Sequence, residues 1–235
     1  MHAVPVQLPL GVRLRPDAQF NNFLVGPNAL ILDSLQALFD SDDCEPIIYI
    51  SGASGSGRSH LLQACCHQAE ISDKEAIYLP AAELQPLAPA VFESLEYYDL
   101  ICLDDLERLL GNPEWEEALF HLYNRVRDAG KQLVIAADEA PAFVGAELAD
   151  LRSRLGWGLV FQIKPLSDQQ KLEVLSLSAN ARGLSVTDEV MRFMLNHGER
   201  NLSVLMDQLD QLDQASLSAK RKLTIPFVKQ VLNWS

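Results

Sequence analysis

Pro46-Ile47-Ile48-Tyr49-Ile50-Ser51-Gly52-Ala53-Ser54-Gly55-Ser56-Gly57-Arg58-Ser59-His60-Leu61-Leu62 is the stretch that decides the fold. It reads as a buried β-strand, a glycine-rich turn and the start of a helix. Gly52 to Ser59 fits the phosphate-binding loop G-x-x-x-x-G-K-[ST], except that Arg58 stands where the lysine belongs. Glycines let backbone N–H groups turn inward around phosphate oxygens, and the helix N-terminus adds a positive partial charge. The phosphate cradle is therefore expected over Ser54, Gly55, Ser56, Gly57, Arg58, Ser59 and His60, with Ser59 as a Mg²⁺ ligand. Lysine is a compact point charge, whereas arginine is a wide planar fork. Nucleotide binding with weak intrinsic hydrolysis is the expectation.

The chain has 235 residues, 48% of them hydrophobic, enough for one large domain or a large and a small one. A net charge of −13 argues against broad non-specific DNA binding, which needs a basic surface. The four cysteines, Cys44, Cys65, Cys66 and Cys102, show no zinc-ligand spacing and read as reduced thiols of a cytoplasmic protein. No apolar run reaches membrane-span length, and no signal-peptide pattern opens the sequence.

Residues 1–19 hold three prolines and no helical period, and are expected to be a mobile tail. Within it, Gln7-Leu8-Pro9-Leu10 suits a linear motif with two apolar anchors, Leu8 and Leu10, and one amide, Gln7. An ordinary tail packed on its own domain is the alternative. Phe20-Asn21-Asn22-Phe23-Leu24-Val25-Gly26-Pro27-Asn28 precedes a helical pattern. Phe23, Leu24 and Val25 either wall a base pocket or fill core. Residues 59–70 read as helix, 76–80 as a strand, and 81–97 as an interrupted helix.

Tyr98-Asp99-Leu100-Ile101-Cys102-Leu103-Asp104-Asp105 is an apolar run ending in carboxylates, the Walker B pattern. Asp104 is placed to hold Mg²⁺ through water and Asp105 to orient an attacking water. Residues 115–127 read as helix. Leu133 to Asp138 is a further buried strand, with Asp138 either a γ-phosphate sensor or a solvated strand end. Residues 147–155 read as a helix bearing Arg152 and Arg154, and 158–163 as a fifth strand. Beyond Pro165 no strand pattern appears. Four helical segments follow, about 168–181, 187–197, 201–219 and 225–234. The expected organisation is a tail over 1–19, an α/β nucleotide domain over 20–165 and an all-α bundle over 166–235.

Together these motifs resemble the AAA+ ATPases: a P-loop domain built on a parallel sheet, then a small helical lid. Within that class the chain is similar to the central ATPase domain of the bacterial replication initiator DnaA. Phe20-Asn21-Asn22-Phe23 with Gly26 and Asn28 resembles the segment that lines the initiator's adenine pocket. Ser153-Arg154-Leu155-Gly156-Trp157-Gly158 resembles the stretch carrying its arginine finger. Gln7-Leu8-Pro9-Leu10 is similar to a sliding-clamp-binding motif. Gly57 to Leu62, Leu122 to Arg125 and Lys222 to Lys229 resemble the Hda family, the DnaA homologues of regulatory inactivation of DnaA.

The resemblance implies a cytoplasmic negative regulator of replication initiation. Held by the DNA polymerase III β sliding clamp, it would stimulate hydrolysis of the ATP on DnaA, with Arg154 as a finger in trans. The residues leave one alternative, Arg154 pairing with Asp150 or Glu147 on its own helix. In the initiator's lid an arginine senses the γ-phosphate. Ser203 takes that position here, and whether Arg200 replaces it stays open. With Arg58 in the loop, this favours a nucleoside diphosphate, ADP by resemblance, although the base is undetermined. No dedicated DNA-binding domain is expected, and a head-to-tail homo-oligomer is an open reading. Two competing functions are an AAA+ motor or helicase loader that hydrolyses ATP itself, and a nucleotide-stabilised scaffold without catalytic contribution.

Overall fold

In the computed structural model, residues 13–40, 44–219 and 221–234 are described; Gln7, Leu8 and Leu10 lie outside them. Contacts divide the chain into two units. One comprises the residues up to Ala53 together with Gly57–Lys164, and the other Ser54–Ser56 with the residues from Pro165 onward.

The first unit is built on five parallel strands, β1 (Ile47–Ser51), β2 (Ala76–Pro80), β3 (Leu100–Asp104), β4 (Gln132–Ala137) and β5 (Leu159–Gln162), in the order β2-β3-β4-β1-β5. Parallel strands covered on both faces are apolar throughout rather than alternating, and β1 and β3 are buried at every position. Alternate residues serve opposite faces. Ile47 and Tyr49 enter one core with Trp115, Leu119, Leu151 and Leu155; Ile48 and Ile50 enter the other with Leu35, Leu38, Leu61 and Leu62. The first core is closed by α4 (Pro113–Asp128) and α5 (Ala149–Leu155), the second by α1 (Ala29–Asp40) and α2 (Arg58–Ile71).

The expected interrupted helix over 81–97 is only α3 (Ala81–Leu84) followed by two 3-10 turns, Pro89–Phe92 and Leu95–Tyr97. The prolines account for this, because a proline disfavours helical geometry in the residue before it. The tail expected to reach residue 19 is instead packed from Arg15 onward. Arg15 N–H donates to Gln63 Oε1 at 2.8 Å, Ala18 is buried, and His60 Nε2 lies 2.9 Å from the Gln19 carbonyl.

The second unit contains α6 (Asp168–Ala181), α7 (Asp188–His197), α8 (Leu202–Ala219) and α9 (Ile225–Leu232). Ser167 caps α6 through a capping box with Gln170, and Thr187 caps α7 through Val190 N–H. Leu175, Met194, Leu205, Leu209, Leu212 and Val228 form its separate core.

Gly158 shows how tightly β5 is laid against β1. A Cβ there would collide with the Ile47 carbonyl oxygen, and backbone cannot move aside as a flexible side chain can. Gly158→Ala is expected to destabilise the protein by about 1–3 kcal/mol, read as a lower denaturant midpoint. An unchanged midpoint would show that the close approach of the strands is not a constraint.

Candidate nucleotide and arginine sites

Three strand ends bring the first group of side chains together. The loop Gly52–Gly57 leaves the carboxyl end of β1 and runs into α2. Gly55 and Gly57 have φ of 74° and 104°, a backbone region glycine enters freely. Ser54, Gly55 and Ser56 form the loop tip. A Cβ on Gly57 would come within 2.9 Å of Phe23, whose ring centroid is 5.8 Å from that of His60. Phe23 therefore lies against the loop, with Leu24 and Val25 half-buried beside it in sequence. Burial, opposed by the bond to Gln19, holds the His60 pKa below its ordinary value.

Arg58 does not behave as a free loop cation. Its side chain is 9% exposed, and Nη2 lies 3.1 Å from Asp105 Oδ1 and 3.8 Å from Glu107 Oε1. The other terminal nitrogen, Nη1, is buried without a hydrogen-bond partner among the described residues. Asp105 adopts φ 53° at the end of β3, a conformation in which Asn and Asp are enriched among non-glycine residues. Glu107 also accepts the Asp138 backbone N–H at 3.2 Å, so one carboxylate links the ends of β3 and β4. Asp138 itself is exposed.

Asp104 is buried and accepts from Tyr78 Oη at 2.6 Å and from the Asp105 N–H at 3.0 Å. Burial pushes its pKa up, against hydrogen bonds from Ser59 and Tyr78 that favour the charged form. Burial and the Asp104 charge raise the Tyr78 hydroxyl in turn. The residues present fit a phosphate ligand. A glycine-rich turn opens a helix, and a buried guanidinium has one nitrogen committed to carboxylates and one with no acceptor among the described residues. Ser59 and Asp104 are the oxygen donors that would suit Mg²⁺.

The second group lies around α5. The Arg154 guanidinium carbon stands 3.8 Å from the centroid of the Trp157 ring and 5.9 Å from that of Phe120 on α4. Trp157 is 57% exposed and has Arg127 at 5.6 Å as well. No carboxylate pairs with Arg154 among the described residues; neither Asp150 nor Glu147 does so. Arg200 belongs to the second unit, where Nη1 is 3.2 Å from Asp168 Oδ2 and the carbonyl accepts from Lys171 at 2.7 Å. Ser203 lies in the first turn of α8, its N–H held by Asn201 Oδ1.

Sequence reasoning missed Tyr78, Glu107 and the stacking role of Trp157. Glu107, two residues past the Walker B aspartates, was open to suspicion as a partner for a loop arginine. Tyr78 had no signal, since it meets Asp104 only through the register that sets β2 beside β3.

Fold and site define a AAA+ module of the DnaA type. The description of the bacterial DnaA ATPase domain matches residues 14–162, and that of the Hda lid domain matches residues 168–232. An uncharacterised protein of Haemophilus influenzae is 45% identical over 97% of this chain and 98% of its own length. Domain III of the Thermotoga maritima replication initiation protein DnaA superposes with a TM-score of 0.81 at 23% identity, covering 94% of this chain and 98% of that one. The AMPPCP-bound DnaA of Aquifex aeolicus does so with 0.71 at 24% identity, over 85% and 66%. At those identities the two structures speak to the fold alone. The chain belongs to the Hda proteins, the DnaA-homologous AAA+ family, and the two domain matches support a DnaA-regulatory role. Among the described residues no helix is long and apolar enough to cross a membrane.

The state of Asp104 carries a stability consequence. Its folded pKa is raised, so folding favours the protonated form, and the charged form at neutral pH is held at a cost. Replacing it by the neutral Asn should raise the melting temperature of nucleotide-free protein at about pH 7.5, with the advantage shrinking as pH falls through the raised folded pKa and gone below about pH 3, where the carboxyl is neutral in both states. A variant that melts below wild type at neutral pH would contradict this.

Proposed function

We propose that this protein is a clamp-associated cytoplasmic regulator that binds a nucleoside diphosphate and promotes hydrolysis of the ATP held by DnaA. Arg154 acts in trans. The observation that carries this reading is the Arg154 guanidinium over the Trp157 ring at 3.8 Å, with no carboxylate pairing with the cation among the described residues. Cation–π attraction holds a guanidinium without neutralising its charge, which stays available to phosphate oxygens. A cation delivered to a γ-phosphate stabilises the charge that develops in the transition state, an effect of about 10³–10⁵ in rate for arginine fingers.

The chain's own nucleotide has a different role. Ser54 to His60 cradle the phosphates, Phe23, Leu24 and Val25 wall the base, and Ser59 and Asp104 hold Mg²⁺. Asp138 is the remaining candidate of the first unit around the phosphates. Asp105, the candidate for orienting water, faces Arg58 at 3.1 Å. That pairing supports weak intrinsic turnover, below about 1 s⁻¹. It also supports a bound diphosphate, because part of the arginine's hydrogen-bonding capacity is already used. The nucleotide then stabilises the fold, by linkage, rather than serving as fuel. Gln7, Leu8 and Leu10 supply the clamp-binding motif, and DnaA and the clamp are the partners.

The test is conversion of labelled ATP on DnaA to ADP, in the presence of clamp-loaded DNA and this protein. Arg154→Ala is expected to lower the stimulated rate by about 10³-fold or more while leaving nucleotide bound to the variant. Equal rates for wild type and Arg154→Ala would reject the finger.

A further inference from the structure

Glu116 is a buried carboxylate that neither the phosphate loop nor the Walker B strand uses. It lies in the first turn of α4 with 1% of its surface exposed. Oε1 accepts the N–H of Gly111 at 2.8 Å and of Glu147 at 3.1 Å, and Oε2 accepts the N–H of Leu148 at 2.6 Å. Gly111 belongs to the turn before α4. Glu147 and Leu148 belong to the chain that leads into α5.

Leu148 is the residue preceding the first turn of α5 and has no side-chain oxygen to satisfy the N–H groups there. What holds the entry to α5 comes from another helix, since Glu116 accepts the N–H of Leu148 itself and of the residue before it. Arg152 reinforces the contact: Nη1 donates to the Ala146 carbonyl at 3.4 Å, and its charge favours the ionised form of Glu116. Burial alone would raise that carboxyl, but the bonds from Leu148, Gly111 and Glu147 outweigh it and hold the pKa below the ordinary range.

Phe120 stands four residues further along α4, on the same helix face as Glu116, and its ring is 5.9 Å from the Arg154 guanidinium. One stripe of α4 therefore holds the beginning of α5 with a carboxylate and meets the arginine at its end with an aromatic ring. Leu151 and Leu155 fix the side of α5 that faces the core, in the cluster with Trp115 and Leu119. Apolar packing of this kind leaves sliding along the helix axis weakly determined. Directional bonds to two consecutive N–H groups remove that freedom.

We infer that Glu116 is the positioning residue of the trans-acting arginine: it fixes residues 147–148, hence the axial placement of α5 and the reach of Arg154. This rests on the reading of Arg154 proposed above. A misplacement of about 1 Å of a reacting group costs on the order of 10²-fold in rate. The effect belongs in the rate at saturation, since Glu116 itself is buried and offers no surface to a partner.

The experiment uses the full-length protein, wild type and the variants Glu116→Ala, Glu116→Gln and Arg154→Ala, titrated against ATP-loaded DnaA with clamp-loaded DNA. Each is assayed at a temperature where circular dichroism shows it folded, and its bound nucleotide is measured. Glu116→Ala should lower the saturating rate by about 10–100-fold, with nucleotide retained and the half-saturating concentration within about twofold of wild type. Glu116→Gln keeps one acceptor oxygen and should fall between the two; it also decides the matter if the alanine variant does not fold. A wild-type saturating rate in a folded Glu116 variant, with Arg154→Ala inactive, overturns the positioning role alone. Rate and bound nucleotide lost in proportion also overturn it, since Glu116 would then be a general stabiliser. Full activity of Arg154→Ala overturns both this inference and the reading it rests on.

Discussion

A guanidinium buried at the mouth of a phosphate loop has to be neutralised. Arg58 is shielded from water, and removing such a charge from solvent costs several kcal/mol unless it is paired. The structure meets this constraint with Asp105 and Glu107 from the turn after β3. Asp105 takes an uncommon backbone conformation there, and Glu107 reaches on to the backbone of Asp138. The arginine thus ties together the ends of β1, β3 and β4, where a AAA+ site performs its chemistry. A lysine would have presented one compact charge at this place; the fork presents two terminal nitrogens, one committed and one without an acceptor among the described residues.

The other conspicuous arginine is treated in the opposite way. Arg154 lies against Trp157 and pairs with no carboxylate among the described residues. The two residues divide the labour proposed for the protein. In that proposal Arg58 is spent internally, on holding a nucleotide site together, while Arg154 serves a phosphate that belongs to another molecule. Glu116 connects this surface to the core, since the carboxylate that organises the start of α4 also receives the chain entering α5.

Much of the fold was legible because its signals are local. The all-apolar runs of β1, β3 and β4, the glycines of the loop and the loss of strand pattern after Pro165 each report directly on burial or backbone freedom. The segment 81–97 reads as a helix interrupted at Pro86 and Pro89, and it is broken further than that, into one short helix and two 3-10 turns. In the site, Phe23 lies against Gly57 and Arg58 pairs with Asp105. Partnerships were harder to read. Nothing in the sequence says that Tyr78 donates to Asp104 across two strands, or that Glu116 receives three N–H groups from two separate turns. Those depend on strand register and on helix placement, which no spacing along the chain encodes.

The central claim is that the hydrolysed nucleotide belongs to the partner. It is tested most directly by loading DnaA with ATP carrying one label and this protein with nucleotide carrying another, then following both in a single turnover on clamp-loaded DNA. The account predicts that the label on DnaA becomes ADP while the nucleotide on this chain stays bound and unchanged. Turnover of the label carried by this chain, with the ATP on DnaA left intact, would contradict it and identify a self-hydrolysing AAA+ protein instead.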